Sequence, residues 1–80
     1  MPYAKWSSPV EVGFGQKGSQ LVQGPFDALI CLMDTWPDLR GPRYVAARSL
    51  CRAALDGRKS PEEAREVFIS AAQEARLQAH

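Results

Sequence analysis

The sequence has little of what catalysis usually requires. Its 80 residues include one histidine, His80, which is the last residue, and chain ends are usually mobile, so we do not expect a general base there. Nucleophilic catalysis needs an oriented base close to a serine or cysteine, and a zinc site needs about four ligands at suitable spacing. The sequence shows neither pattern. We therefore expect no enzymatic activity, no cofactor and no bound metal.

Cysteines and long apolar runs are scarce as well. The two cysteines, Cys31 and Cys51, lie in apolar helical patterns and not in the loop-rich framework of small disulfide-bonded secreted domains. No apolar run approaches the length needed to cross a bilayer, and no secretory signal pattern opens the chain. We expect two buried thiols, no membrane partner and a cytoplasmic location.

The net charge is only +1, but the charges are distributed unevenly. Residues 1–39 contain two basic and four acidic residues, residues 40–59 contain six and one, and residues 60–80 contain two and four. The local balances are therefore −2, +5 and −2. The basic middle segment either binds an anionic partner or is neutralised by neighbouring acidic elements in the folded chain.

The first structured segment, residues 9–23, has the pattern of a β-hairpin. Val10, Val12 and Phe14 alternate with Glu11 and a glycine, which is typical of a strand with one buried face. A glycine-containing stretch and a second short apolar segment follow. The glycines match G-x-G-x-x-G, but the dinucleotide-binding form of that pattern is followed by a helix and here a strand follows, so we interpret them as the hairpin turn.

Three helices are predicted after the hairpin, over about residues 25–36, 42–56 and 60–78. The third begins with a capping box, Ser60-Pro61-Glu62-Glu63, the sharpest local signal in the chain. In each helix a set of mainly apolar residues shares one face, which we expect to pack in the core. These sets are Phe26, Leu29, Ile30 and Met33; Tyr44, Ala47, Cys51, Ala54 and Leu55; and Ala64, Val67, Phe68, Ala71 and Ala75.

These elements predict a single α+β domain, in which a two-stranded β-hairpin is followed by three α-helices. Chains of this length support one core and no second domain. Because the second helix is apolar or small around most of its circumference, we expect the hairpin and the other two helices to wrap it.

The arginines of the basic segment are the most suggestive cluster. Arg40 and Arg43 lie near the start of the second predicted helix, and Arg48 and Arg52 are one turn apart within it. Together they are suited to grip nucleic-acid phosphates; the alternative is a solvated flank whose guanidinium groups meet acidic side chains of neighbouring helices. We favour the second interpretation, because nucleic-acid-binding domains are commonly more basic overall.

Trp36, Tyr44 and Cys51 form a candidate pocket near the start of the second helix. An open cavity there would suit a small-molecule enzyme or sensor. For Trp36, as for Trp6, the alternative is a place at the edge of the core with the indole N–H bonded to a carbonyl, and we favour that role.

Ile69 and Ala72 are the candidate residues for a protein contact. Both face away from the main apolar stripe of the third helix. A second copy of the chain is one possible partner, either through this flank or through a free edge of the hairpin.

The order of many individually weak motifs resembles one known family, the domain of unknown function 982 (DUF982) family of short bacterial proteins. The motifs are Trp6, Pro9-Val10-x-Val12, Gly24-Pro25-Phe26-Asp27-Ala28-Leu29, Trp36-Pro37, Gly41, Tyr44, Ala47, Cys51, Ala54-Leu55-x-Gly57, Pro61, Ala64-Arg65, Phe68 and Ala71-Ala72. The resemblance spans nearly the whole chain and implies a small stand-alone cytoplasmic protein. It implies no activity, ligand or catalytic residue.

The sequence thus leaves the function unknown but ranks the alternatives. We expect a non-enzymatic protein-interaction or regulatory module that binds an unidentified protein or a second copy of itself, because surface patches are present while reactive groups are not. Nucleic-acid binding through Arg40, Arg43, Arg48 and Arg52 is the alternative.

Overall fold

The computed structural model describes residues 5–38 and 40–79, and His80 lies outside them. The chain forms strands β1 (Val10–Gly13) and β2 (Ser19–Val22), helices α1 (Pro25–Asp34), α2 (Pro42–Leu55) and α3 (Pro61–Glu74), and a short strand β3 (Gln78–Ala79). The α+β class, the hairpin and the three helices are confirmed. No helix in the described ranges is both long and apolar enough to cross a bilayer.

The hairpin forms where the alternating pattern predicts it. β1 and β2 are antiparallel, with Val10 opposite Val22, and the side chains of Val10, Val12 and Val22 are completely buried. A 3₁₀ turn over Gly15–Lys17 joins the strands, and the φ angles of Gly15 and Gly18 are 64° and 87°. Glycine adopts these left-handed conformations without steric cost, which confirms the turn interpretation of the glycine string.

The end of α3 differs from the prediction, which extended that helix to residue 78. The helix ends at Glu74, Arg76 adopts a left-handed φ of 62°, and the N–H of Leu77 donates to the carbonyl of Ala72 at 2.8 Å. These are features of a Schellman ending, which usually places glycine where Arg76 lies. β3 then pairs antiparallel with β1, so the sheet has the order β2-β1-β3.

α1 faces the core with the side opposite to the one predicted. The expected core stripe is largely outside: Phe26 is 37% exposed, Ile30 39% and Met33 54%, and only Leu29 packs against the core. Asp27 and Asp34 are the only polar residues of α1, so its periodicity does not select one face. The residues that α1 buries are Pro25, Ala28, Cys31 and Leu32, of which the small Ala28 and Cys31 allow close packing.

The hairpin does not wrap α2, contrary to the prediction. α2 packs between α1 and α3, whereas the sheet packs chiefly against α1 and α3. Trp36, in the connection after α1, joins the layers instead. Its ring centroid lies 5.6 Å from that of Phe68 in α3, 6.4 Å from that of Tyr44 in α2 and 6.1 Å from that of Phe14 next to the hairpin turn.

Candidate functional site

The main exposed apolar surface of the described chain lies on α1 and the adjoining side of α2. Five large apolar residues of the described chain are exposed, and one of them, Leu21, lies on the sheet. The other four are Phe26, Ile30 and Met33 of α1 and Val45 of α2, which is 59% exposed. We call these four residues, together with Leu29, Arg48 and Arg52, the α1–α2 face.

A shallow groove runs between the two helices of this face. Its volume is about 190 Å³, and Leu29, Val45, Arg48, Ser49 and Arg52 line it. The groove therefore has an apolar wall on α1 and a mixed apolar and cationic wall on α2. Its shape and size suit an inserted side chain better than a complete small molecule.

Opposite charges border the apolar stripe. On α2, Arg48 and Arg52 line the groove together with Val45. On α1, successive residues are about 100° apart around the axis, which places Asp27 and Asp34 on the side of the stripe away from Leu29. The carboxylate of Asp27 also accepts the backbone N–H of Gln23 at 3.2 Å. Asp34 is exposed, and its carboxylate forms no hydrogen bond or ion pair with the described residues.

The four arginines of the predicted anion surface are all exposed, and two of them, Arg40 and Arg48, lie against the same aromatic ring. The guanidinium carbons of Arg40 and Arg48 lie 5.1 Å and 5.8 Å from the ring centroid of Tyr44, within the range of cation–π attraction. Arg40 also donates to the carbonyls of Trp36 and Pro37, at 3.1 Å and 3.2 Å.

None of these four arginines forms an ion pair with a carboxylate of residues 5–38 or 40–79. The ion pair in this part of the chain joins Arg58 to Asp56 at 3.1 Å. The expectation that these guanidinium groups meet acidic side chains of neighbouring helices is therefore wrong within these ranges. The arginine cluster stays available to an external anion.

The predicted pocket of Trp36, Tyr44 and Cys51 is filled by the residues themselves. All three belong to the buried core, and the Tyr44 hydroxyl donates to the carbonyl of Leu32 at 2.9 Å. Burial raises the pKa of the Cys51 thiol to about 12 and that of Cys31 to about 11. Formation of the nucleophilic thiolate is thus suppressed at both cysteines. Trp36, Tyr44 and Cys51 therefore pack the core and do not line an open pocket.

The predicted protein contact at Ile69 and Ala72 is wrong. Ala72 is completely buried, and Ile69 is partly buried and packs against the core. The reason is the unpredicted chain reversal after α3: the Leu77 N–H bonds to the carbonyl of Ala72, and β3 packs against α3. This flank is therefore covered by the chain itself.

The carboxylate of Glu63 serves as a cap at the start of α3. Glu63 accepts the N–H of Ser60, and the Ser60 hydroxyl oxygen accepts the N–H of Glu62, which confirms the predicted capping box. No group of three or more metal-ligating side chains occurs within residues 5–38 and 40–79.

Sequence reasoning missed the cap of α2. The Glu74 carboxylate, at the end of α3, accepts the N–H groups of Arg43 and Tyr44, each at 3.1 Å. The N-cap residue of α2 is Gly41, which has no side chain to cap the helix. A Cβ at Gly41 would lie 2.6 Å from Oε2 of Glu74, so the glycine makes room for the carboxylate.

The two tryptophans differ in their polar contacts. The indole N–H of Trp6 donates to the carbonyl of Pro61 at 2.7 Å, as predicted. The buried Nε1 of Trp36 has no hydrogen-bond partner among residues 5–38 and 40–79, so within these ranges the prediction is wrong for that residue. A carbonyl that accepts a distant indole N–H leaves no signature in sequence spacing.

Comparisons with known proteins agree with the fold but add no activity. A family model described as "Protein of unknown function (DUF982)" matches residues 8–79. A protein of Agrobacterium tumefaciens, solved by NMR, is 30% identical with a TM-score of 0.78, over 91% of this chain and 73% of that one. No functionally curated protein matches significantly.

Proposed function

This chain belongs to the DUF982 family of proteins of unknown function, and from its surfaces we propose that it is a small protein-interaction or regulatory module without catalytic activity. The α1–α2 face carries the proposal. It exposes Ile30, Met33 and Val45 by 39%, 54% and 59% around a shallow groove. Contiguous exposed apolar surface bordered by charge is a common feature of protein contact sites.

The roles of the reactive side chains support the non-catalytic part of the proposal. Cys31 and Cys51 are buried thiols, the Tyr44 hydroxyl is bonded within the core, and Glu63 and Glu74 cap helices. Each group has a structural task that catalysis would disturb. Two free thiols also suit a reducing compartment, so we place the protein in the bacterial cytoplasm.

The test compares two apolar-to-lysine variants after tagged purification from the native cell at high salt. Met33→Lys alters the face, and Leu21→Lys is the matched control, because Leu21 is 53% exposed but lies on the sheet. We expect a specific protein to remain with the wild type and with Leu21→Lys, and to be lost from Met33→Lys. Equal retention by both variants, with unchanged circular dichroism, would contradict the proposal.

A second candidate function is anion binding by the arginine cluster, in particular nucleic-acid binding. The favouring observation is that Arg40, Arg43, Arg48 and Arg52 pair with no carboxylate in the described ranges, while Arg40 and Arg48 flank an aromatic ring. Retention of DNA or RNA that falls steeply with salt and is lost in Arg48→Glu, Arg52→Glu would support it. Salt-independent retention, or none, would remove it.

A further inference from the structure

We propose that the α1–α2 face binds an amphipathic helix of a partner protein that carries carboxylates beside its apolar side chains. This inference rests on the proposed interaction function and names the chemistry of the partner. The starting observation is the composition of the groove. Leu29 and Val45 line it together with Arg48, Ser49 and Arg52, so apolar and cationic groups share one surface.

The charge of the groove defines the charge of its occupant. Between Pro42 and Leu55, α2 contains arginines and no acidic residue. Arg48 and Arg52 form no hydrogen bond or ion pair with the described residues, so no carboxylate in this part of the chain offsets their charges. Covering a guanidinium group with apolar surface removes its water, which is costly unless a counter-charge replaces it. An occupant of this groove therefore has to bring carboxylates.

Arg48 is positioned to receive such a carboxylate. Its guanidinium carbon lies 5.8 Å from the ring centroid of Tyr44, and this cation–π contact orients the group without using its N–H donors. A guanidinium group presents these donors in a planar fork that fits both oxygens of a carboxylate. Arg52 lies one turn further along α2. Two carboxylates one turn apart on a partner helix match this spacing.

The lining residues of α2 favour a helical occupant. Val45, Arg48, Ser49 and Arg52 follow i, i+3, i+4, i+7 spacing and form one strip, about 10 Å long at about 1.5 Å per residue. The opposite wall is the helix α1, so neither wall offers the row of free backbone groups that an extended peptide needs. A helix satisfies its own backbone hydrogen bonds and presents side chains at the same spacing. About two turns of helix would fill the strip.

The same face is less suited to a nucleic acid. Ile30, Met33 and Val45 are exposed near the arginines, and a phosphate backbone offers no apolar group to cover them. Asp27 and Asp34, on the far side of the apolar stripe, would repel phosphates that extend across it. A helix with carboxylates along one border and apolar residues along its centre meets both requirements.

The size of the face sets the expected affinity. Two turns of helix on a strip about 10 Å long bury less than the roughly 800 Å² per partner of a standard interface. Contacts of this size are transient, so we expect a Kd in the micromolar range, roughly 1–100 μM. Because the arginines contribute by their charge, the affinity should fall as the salt concentration rises.

The test selects the partner chemistry from a peptide display library with a fixed helical frame. Each peptide carries leucine at i, i+3, i+4 and i+7, and its flanking positions are randomised among glutamate, lysine and glutamine. Selection on the wild-type protein should enrich glutamate along one flank of the leucines. In fluorescence anisotropy, a labelled synthetic peptide of the enriched sequence should bind with the expected Kd, and its lysine counterpart about tenfold or more weakly.

Reversing the charge of the groove should reverse the selection. The double variant Arg48→Glu, Arg52→Glu should enrich lysine at the flank where the wild type enriches glutamate, and a reversed preference requires a folded groove. The matched control is Lys17→Glu, Lys59→Glu, which makes the same change of net charge at two exposed positions outside the face. This control should select glutamate as the wild type does.

The apolar part of the face is tested with the selected peptide. Met33→Lys should weaken its binding by about tenfold or more, because a charged group then replaces an apolar contact. Leu21→Lys, on the sheet, should leave the binding unchanged. Unchanged circular dichroism and thermal unfolding exclude misfolding of either variant.

Four results would overturn the inference. They are enrichment of lysine or glutamine on the wild type, failure to enrich any peptide, an unchanged selection by the arginine variant, and a dimer of the wild type that Met33→Lys dissociates but the selected peptide does not. Retention of a short random DNA duplex that is lost in Arg48→Glu, Arg52→Glu, with no enriched peptide, would assign the arginines to a nucleic acid instead.

The outcome also separates this inference from the proposed function on which it rests. If no peptide is enriched but Met33→Lys still loses a specific protein in the pull-down, the inference fails while the proposed interaction function stands. If Met33→Lys changes neither peptide binding nor the pull-down, both fail.

Discussion

Replacing Gly41 by alanine tests the packing between α2 and α3 directly. The added Cβ would lie 2.6 Å from Oε2 and 2.8 Å from Cδ of Glu74, closer than real Cβ contacts. Because the obstructing atoms are at the end of a flexible side chain, the carboxylate swings away and the backbone stays in place. What is lost is the pair of hydrogen bonds from the N–H groups of Arg43 and Tyr44.

The expected magnitude follows from the loss of a helix cap. Removing an N-cap interaction costs about 0.5–2 kcal/mol of stability. Against this, the φ of −95° at Gly41 is compatible with alanine, and because alanine lowers the conformational entropy of the unfolded chain, it stabilises the fold by about 0.4–1 kcal/mol. We expect Gly41→Ala to lower the free energy of unfolding by about 1 kcal/mol, and Glu74→Ala to lower it by about 1–2 kcal/mol. In the Glu74→Ala background there is no carboxylate to displace, so Gly41→Ala should be neutral or slightly stabilising.

The assay is a double-mutant cycle measured by urea unfolding with tryptophan fluorescence. The two substitutions should show a coupling of about 1–2 kcal/mol, and in a domain of this size each kcal/mol shifts Tm by about 4–8 °C. Additive costs, with a coupling below about 0.3 kcal/mol, would show that the glycine is not needed by the carboxylate. Arg43→Ala is a useful control, because it keeps the backbone N–H that Glu74 accepts.

Three other predictions follow from single contacts. Arg76→Gly should stabilise the domain by about 0.5–1 kcal/mol in urea unfolding, because it relieves a left-handed φ of 62°; a loss of stability would refute this. Trp6→Phe should cost about 1–3 kcal/mol more than Trp36→Phe, because the Trp6 indole N–H donates to a carbonyl while that of Trp36 has no partner among the described residues; equal costs would contradict this. Burial raises the pKa of the Cys31 and Cys51 thiols from 9.0 to about 11 and about 12, so the thiols of the unfolded chain ionise first as the pH rises. The free energy of unfolding should therefore be constant well below pH 9 and fall between about pH 9 and 12. At about pH 8 a thiol reagent should react only at the unfolding rate.

Local signals in the sequence predict most of the fold. The capping box at Ser60, the prolines at the helix starts and the glycine turn between the strands each act within a few residues, so their spacing alone is informative. Gly57 ends α2 with a φ of 81°, as expected of a glycine after a helix. Boundaries set by such residues agree with the structure to within one or two positions.

The remaining features depend on contacts between distant residues. The left-handed conformation of Arg76 is atypical of arginine. β3 exists because β1 offers a partner edge: Ala79 pairs with Val12 and Gln78 with Gly13, which are 67 and 65 residues earlier in the chain. α1 is apolar on both sides, so only the assembled core shows which side is buried. The same tertiary effects misplaced the candidate surfaces: Ala72 is covered by the returning chain, while Ile30 and Met33 are left outside.

The order of the sheet has a consequence for folding during synthesis. β1 lies at the centre of the sheet, yet one of its neighbours, β3, is synthesised only after all three helices. Until then one edge of β1 has no strand beside it, and unpaired edges promote association with other chains. The sheet is completed only after α3 has emerged, so truncation before Gln78 should leave a hairpin and three helices with an open, aggregation-prone edge.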